Sequence, residues 1–152
     1  MSAFEKKLKI MIVDDEEIIQ NSIDRFLAFQ PQFQDAQIIL ASSFTEALDK
    51  VEEFSPLIIL QDINLPDGNG LQFIRQIKQT YPYIQFIVIT GASDLNRVME
   101  ALSFGASDYI KKPIDMEQLS TMIQEAKNRC DRWGELLWNE YQAEESMPEG
   151  EE

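Results

Sequence analysis

The chain contains no histidine and a single cysteine, and its 13 basic side chains are fewer than half as many as its 27 acidic ones. Without histidine there is no His-based catalytic triad, no histidine metal ligand and no phosphohistidine on this chain. Cys130 alone can form no internal disulfide, which fits a reducing cytosol, and a cytoplasmic location is expected. The formal charge of −14 disfavours non-specific attraction to nucleic acid or to an anionic membrane. No apolar run approaches the roughly 20 residues needed to cross a bilayer, so a soluble globular chain is expected. The first residues, Met1 to Lys7, lead towards a short strand and do not resemble a secretory leader.

With 152 residues, 44% of them hydrophobic, the chain can build one domain with a real core and little more. The expected division is a domain over residues 1–130 and an appendage over residues 131–152. That appendage carries eight acids and one base.

Five apolar runs read as strands: Leu8 to Val13, Gln37 to Ala41, Leu57 to Leu60, Ile84 to about Ser93, and Ser107 to Ile110. Helical spacing follows each of them. The first helix is marked by Ile19, Ile23, Phe26 and Leu27. A capping box from Ser43 to Glu46 opens the second, with Phe44, Ala47, Leu48 and Val51 facing inward. Leu71, Ile74 and Ile77 mark the third, which stops near Tyr81-Pro82. Ser93 is placed to cap the fourth, whose apolar face is Leu95, Val98, Met99 and Leu102, with Gly105 as its stop. Asp115 and Gln118 open the fifth, inward through Met116, Leu119, Ile123 and Ala126. Five strands alternating with five helices call for an α/β fold, a parallel sheet covered on both faces.

In such sheets ligands bind outside the carboxyl ends of the strands, and four of the five runs end there in polar groups. They are Asp14 with Asp15, Asp62, Thr90 and Lys112. Taken singly, each has an ordinary structural role: Asp62 as a turn or capping residue, Thr90 as a strand-end hydroxyl, Lys112 as half of a solvated pair with Lys111. Converging carboxylates raise one another's pKa unless a cation joins them, and Mg²⁺ is the economical partner for an all-oxygen donor set. An acid pair, a lone carboxylate, a hydroxyl and an ammonium together suit phosphoryl transfer to an aspartate.

Over about residues 8–130 the sequence resembles the receiver domain of two-component response regulators, the CheY-like group. Five separated elements carry the resemblance in order: Asp14-Asp15-Glu16, Asp62 with Pro66 and Gly70, Thr90-Gly91-Ala92, Gly105 to Tyr109, and Lys112-Pro113. The resemblance implies a flavodoxin-like doubly wound sheet in the order 2-1-3-4-5. It makes Asp62 the phospho-acceptor, Asp15 the direct Mg²⁺ ligand with Asp14 acting mainly through water, and Asn64 a donor of its backbone carbonyl to the metal. Lys112 is then the partner of the phosphoryl oxygens, and Thr90 and Tyr109 the pair that reposition on phosphorylation. The donor is a phosphohistidine on a sensor kinase or phosphotransfer protein, and no enzymatic turnover beyond self-phosphorylation and dephosphorylation is implied. Gln61 departs from the apolar residue usual before the acceptor. Asn64 and Ala92 lie where side chains can gate an attacking water.

Two rival readings are an aspartate-nucleophile phosphatase of the haloacid dehalogenase type and a receiver fold used only for docking. The phosphatase reading needs a second acid where Asn64 stands. Beyond the expected end of the last helix, the stripe Ile123, Ala126, Cys130, Trp133, Leu137, Tyr141 continues in steps of three and four, so the helix is expected to run on despite Gly134. The stripe packs either on the receiver or on another chain, as a homodimer or a downstream partner. After Tyr141, the segment Glu144 to Glu152 reads as an acidic disordered tail. A segment this short holds no DNA-binding or catalytic output domain, so the expectation is a stand-alone receiver or a piece of a longer regulator.

Overall fold

The structure, a computed structural model, describes residues 7–91 and 95–145. Five strands, β1 (Lys9–Val13), β2 (Gln37–Ala41), β3 (Ile58–Asp62), β4 (Gln85–Thr90) and β5 (Asp108–Lys111), form one sheet. All neighbours pair in parallel in the order β2-β1-β3-β4-β5, as the alternation of strands and helices requires. The central strands β3 and β4 are buried at every position, which is why they read as unbroken apolar runs and not as alternating ones.

Helices α1 (Glu17–Ala28) and α5 (Met116–Glu145) cover one face, and α2 (Phe44–Phe54), α3 (Gly70–Thr80) and α4 (Leu95–Ser103) the other. The sheet divides the core accordingly. Ile10, Ile12, Ile58, Leu60, Ile87 and Ile89 point towards α1 and α5, whereas Met11, Val13, Ile59, Phe86 and Val88 point towards α2, α3 and α4. At α2 the Ser43 hydroxyl accepts from the Glu46 amide at 3.1 Å as expected. The returning Glu46 carboxylate, however, is taken by the amide of Ser42, one residue earlier.

Two inward faces differ from the sequence expectation. Leu48 lies at the border of exposure, so α2 packs through Phe44, Ala47 and Val51. On α4, Leu95, Met99 and Leu102 are exposed (64%, 61% and 43%), and only Val98 and Ala101 are buried. The reason is geometric. Val98 and Ala101 lie about one residue step, roughly 100° around the axis, from the larger stripe, and the small Ala101 lets the helix sit close to the sheet. Of the expected face Val98 alone packs inward, joined by Ala101. The expected cap at Ser93, with Ala92 beside it, falls outside the described residues.

Helix α5 continues unbroken through Gly134 to Glu145, 30 residues in all and about 45 Å long. Its middle is tied to the sheet by Gln85, which is buried at the start of β4. The Gln85 amide nitrogen donates to the Ala126 carbonyl and to Cys130 Sγ, and its oxygen accepts from Arg129 Nε at 2.7 Å. Trp133 and Leu136 beyond this anchor are exposed. The side chains of Leu137 and Tyr141, and residues 146–152 of the acidic tail, lie outside the described residues. No described helix is long and apolar enough to cross a membrane.

Candidate functional site

The carboxyl ends of β1, β3, β4 and β5 meet at one edge of the sheet. Asp14 follows β1 and is held from three directions: its amide donates to the Ala41 carbonyl at 3.0 Å, its own carbonyl accepts from Gln20 Nε2, and its carboxylate Oδ1 accepts from the Glu16 amide at 2.8 Å. Gln20 also donates to the Ala41 carbonyl at 2.9 Å, so one buried amide on α1 fixes the ends of β1 and β2 together. Asp62 closes β3 and is 4% exposed. Its Oδ1 accepts from the Asn64 amide and its Oδ2 from Lys112 Nζ, both at 2.8 Å.

Lys112 follows β5 directly, its backbone amide bonded to the Thr90 carbonyl at 2.8 Å; the Lys112–Pro113 peptide is cis. Besides Asp62, its ammonium lies 2.9 Å from Glu16 Oε1 and 3.3 Å from Asp14 Oδ2. Burial works against the charge of Lys112, but its bonds to Asp62 and Glu16 and the fields of Asp62 and Asp14 outweigh it, holding its pKa above the ordinary lysine value. Burial pushes the Asp14 carboxyl upward, and Asp62 adds to that; the Glu16 amide and Lys112 pull the other way without cancelling it.

One oxygen from each of Asp14, Asp15, Glu16 and Asp62 falls within 4.8 Å of the other three. Asp14 Oδ2 is buried and accepts no hydrogen bond among the described residues, so its one compensation there is the ammonium 3.3 Å away. An under-satisfied anionic oxygen in an all-oxygen cluster is what a hard divalent cation satisfies.

The model of the response regulator receiver domain matches residues 10–124. The chain belongs to that family. Among curated relatives, the receiver is 33% identical over 120 residues to the transcriptional regulatory protein DegU of Brevibacillus brevis, covering 79% of this chain and 50% of that one. It is equally 33% identical over 122 residues to the transcriptional regulatory protein DpiA of Escherichia coli strain K12, covering 80% and 53%. The chain thus spans about half the length of the curated relatives it matches. Among solved structures, a response regulator receiver domain protein from Clostridium thermocellum superposes with a TM-score of 0.74 at 31% identity, over 83% of this chain and 98% of that one. A CheY-like receiver from Methanospirillum hungatei gives 0.76 at 28%, over 84% and 98%.

Within the receiver, Asp14, Asp15, Asp62 and Lys112 are brought together. Thr90 is buried at the end of β4 with its hydroxyl donating to the Gly91 carbonyl at 2.9 Å. The Tyr109 ring, on β5, is 36% exposed. Asn64 is exposed, and its side-chain oxygen is bonded by Arg97 from α4, which also donates to the Ile63 carbonyl at 3.0 Å.

Gln20 and Arg97 were not legible as site residues. Gln20 sits next to Ile19 in the inward stripe of α1, where a polar residue is a usable signal; Arg97 on a surface helix gives none. Gln61 now has a structural account. It is fully buried, its amide donates to the Gly70 carbonyl at 2.9 Å, and a Cβ on Gly70 would come within 2.9 Å of that nitrogen and 3.0 Å of Ile63 Cα. Gln61 therefore ties β3 to the start of α3, and residue 70 has to be glycine to allow it.

Proposed function

We propose that this receiver is a phosphorylation-switched binding module in which Asp62 accepts a phosphoryl group from a phosphohistidine on a sensor kinase or phosphotransfer protein. The observation that carries this reading is the placement of the Lys112 ammonium 2.8 Å from Asp62 Oδ2, beside three further acids. An Asp62 oxygen forms the new bond to phosphorus while the bond from phosphorus to the imidazole nitrogen breaks, and that electron pair returns to the ring. Lys112, already in contact with the acceptor, neutralises charge on the transferring oxygens.

Asp14, Asp15, Asp62 and the Asn64 carbonyl are the groups that would hold Mg²⁺, which when bound supplies further charge neutralisation to those oxygens. Thr90 and Tyr109 are the groups proposed to reposition afterwards, carrying the change to the surface of β4 and β5. The output is a protein contact made in the cytoplasm, with direct nucleic-acid or membrane binding disfavoured by the charge of −14. The last helix offers the route to a second copy or a downstream protein.

The test is incubation with a small phosphodonor and Mg²⁺, followed by intact-mass measurement. Wild type should gain one phosphoryl group and Asp62→Asn none. Equal modification of both would defeat the reading.

A further inference from the structure

We infer that Asp67 is a positioning residue for the Mg²⁺ site: it fastens the loop after β3 to the first turn of α2 and thereby fixes the Asn64 carbonyl. The inference rests on the phospho-acceptor reading above. Of the groups proposed to hold the ion, Asp14, Asp15 and Asp62 offer carboxylates on rotatable side chains. The Asn64 carbonyl has no such freedom. A backbone oxygen is aimed only by the dihedrals of its own loop, so whatever holds the loop also holds that donor.

Different elements grip the two ends of this loop. At its start the Ile63 amide donates to the Ile89 carbonyl of β4 at 3.2 Å, the Asn64 amide donates to Asp62 Oδ1 at 2.8 Å, and Arg97 bonds to the Ile63 carbonyl and the Asn64 side chain. Three residues past Asn64, one oxygen of the Asp67 carboxylate accepts from the Phe44 amide at 3.1 Å. The other accepts from the Thr45 amide at 3.1 Å and the Thr45 hydroxyl at 3.0 Å. The next residue, Gly68, lies so close to Phe44 that a Cβ there would come within 3.2 Å of the ring. Helix α2 has its own cap as well, because the Ser43 hydroxyl accepts from the Glu46 amide at 3.1 Å and the Ser43 carbonyl from the Ala47 amide at 3.0 Å. Ser43 and Asp67 thus divide the first amides of α2 between them. Ser43 serves the helix alone, whereas Asp67 joins it to a loop 22 residues away. Removing the Asp67 carboxylate unties the loop from α2, and the Asn64 carbonyl must then be ordered when the ion binds, which lowers affinity.

The experiment is calorimetric titration of the full chain with Mg²⁺ for wild type, Asp67→Ala, Asp67→Asn and Ser43→Ala, with urea midpoints measured alongside. Asp67→Ala and Ser43→Ala each strip acceptors from the same helix turn, and both should lower the midpoint. Only Asp67→Ala should weaken Mg²⁺ binding, by about two- to tenfold, the equilibrium equivalent of one hydrogen bond. Asp67→Asn keeps one acceptor oxygen and should lie between Asp67→Ala and wild type. Uptake of phosphate from acetyl phosphate by Asp67→Ala should be slow at limiting Mg²⁺ and match wild type at saturating Mg²⁺. Equal Mg²⁺ affinity of Asp67→Ala and wild type, an equal weakening by Ser43→Ala, or a phosphorylation defect that persists at saturating Mg²⁺ overturns the inference. If Asp67→Ala does not fold, Asp67→Asn decides in its place, and wild-type affinity there overturns the inference likewise. A wild-type chain that binds no Mg²⁺ also overturns it, whereas one that binds Mg²⁺ but takes up no phosphate overturns the acceptor reading.

Discussion

The ammonium of Lys112 and the carboxylate of Asp62 lie 2.8 Å apart although 50 residues separate them in the chain. Two parallel strand ends and a backbone bond from Lys112 to Thr90 create that proximity. The same ammonium is the charge partner of Asp14 and Glu16, so one cation holds three acids.

Removing that cation should be costly. Lys112→Met leaves Asp14 and Asp62 buried without it, and a loss of about 2–4 kcal/mol in Mg²⁺-free buffer is expected, somewhat below the value for a fully enclosed pair because Lys112 retains some exposure. Urea denaturation checks this. Saturating Mg²⁺ should recover part of the loss, and unchanged stability without Mg²⁺ would show that the pair is energetically idle.

Neutralising Asp14 should have the opposite effect. Burial raises its folded-state pKa, so the proton binds the folded protein more tightly than the unfolded one. Its contribution to stability is therefore full below the unfolded value of 3.8 and is lost as pH rises through the higher folded value. At neutral pH and without Mg²⁺, Asp14→Asn should raise the melting temperature by about 2–8 °C, the scale set by relieving one buried, incompletely bonded charge in a domain of this size. The gain should shrink as the buffer is acidified. Calorimetry from pH 4 to 8 tests both the sign and the trend.

Gln20→Leu should cost about 2 kcal/mol, because it strips a donor from the buried Asp14 and Ala41 carbonyls. Mg²⁺ affinity, measured by calorimetric titration, should fall with it, since the end of β1 is no longer held. A variant that loses stability but binds Mg²⁺ as wild type does would limit Gln20 to the fold.

The face of α4 is open to a simple comparison. Leu95→Gln and Met99→Gln should each change stability by less than about 0.5 kcal/mol, whereas Val98→Ala should cost about 1–2 kcal/mol. Denaturation midpoints with equal slopes decide it. Large losses at Leu95 or Met99 would restore the face expected from the sequence.

The contrast between β3 and α4 shows which parts of this protein could be read in advance. Ile58 to Leu60 are buried on both sides of a sheet, so their apolar character has a single cause and points to a single structure. On α4 a small alanine packs while larger residues stand in solvent, so apolar character has two causes and spacing alone cannot separate them. The cluster of Asp14, Asp15, Asp62 and Lys112 was legible because each residue lies at a strand's carboxyl end or within two residues of it, and the parallel topology brings those ends together. Gln20 and Arg97 act from helices, through bonds to backbone carbonyls and a neighbour's amide. Those bonds depend on distances that no sequence interval encodes.

The unbroken course of α5 gives the molecule a lever. From Cys130, where Gln85 grips it, the axis runs on to Glu145, a reach of about 22 Å. A tilt of roughly ten degrees of the segment beyond the grip would carry the far end through about 4 Å. Whatever is joined there would feel a displacement larger than any at the source.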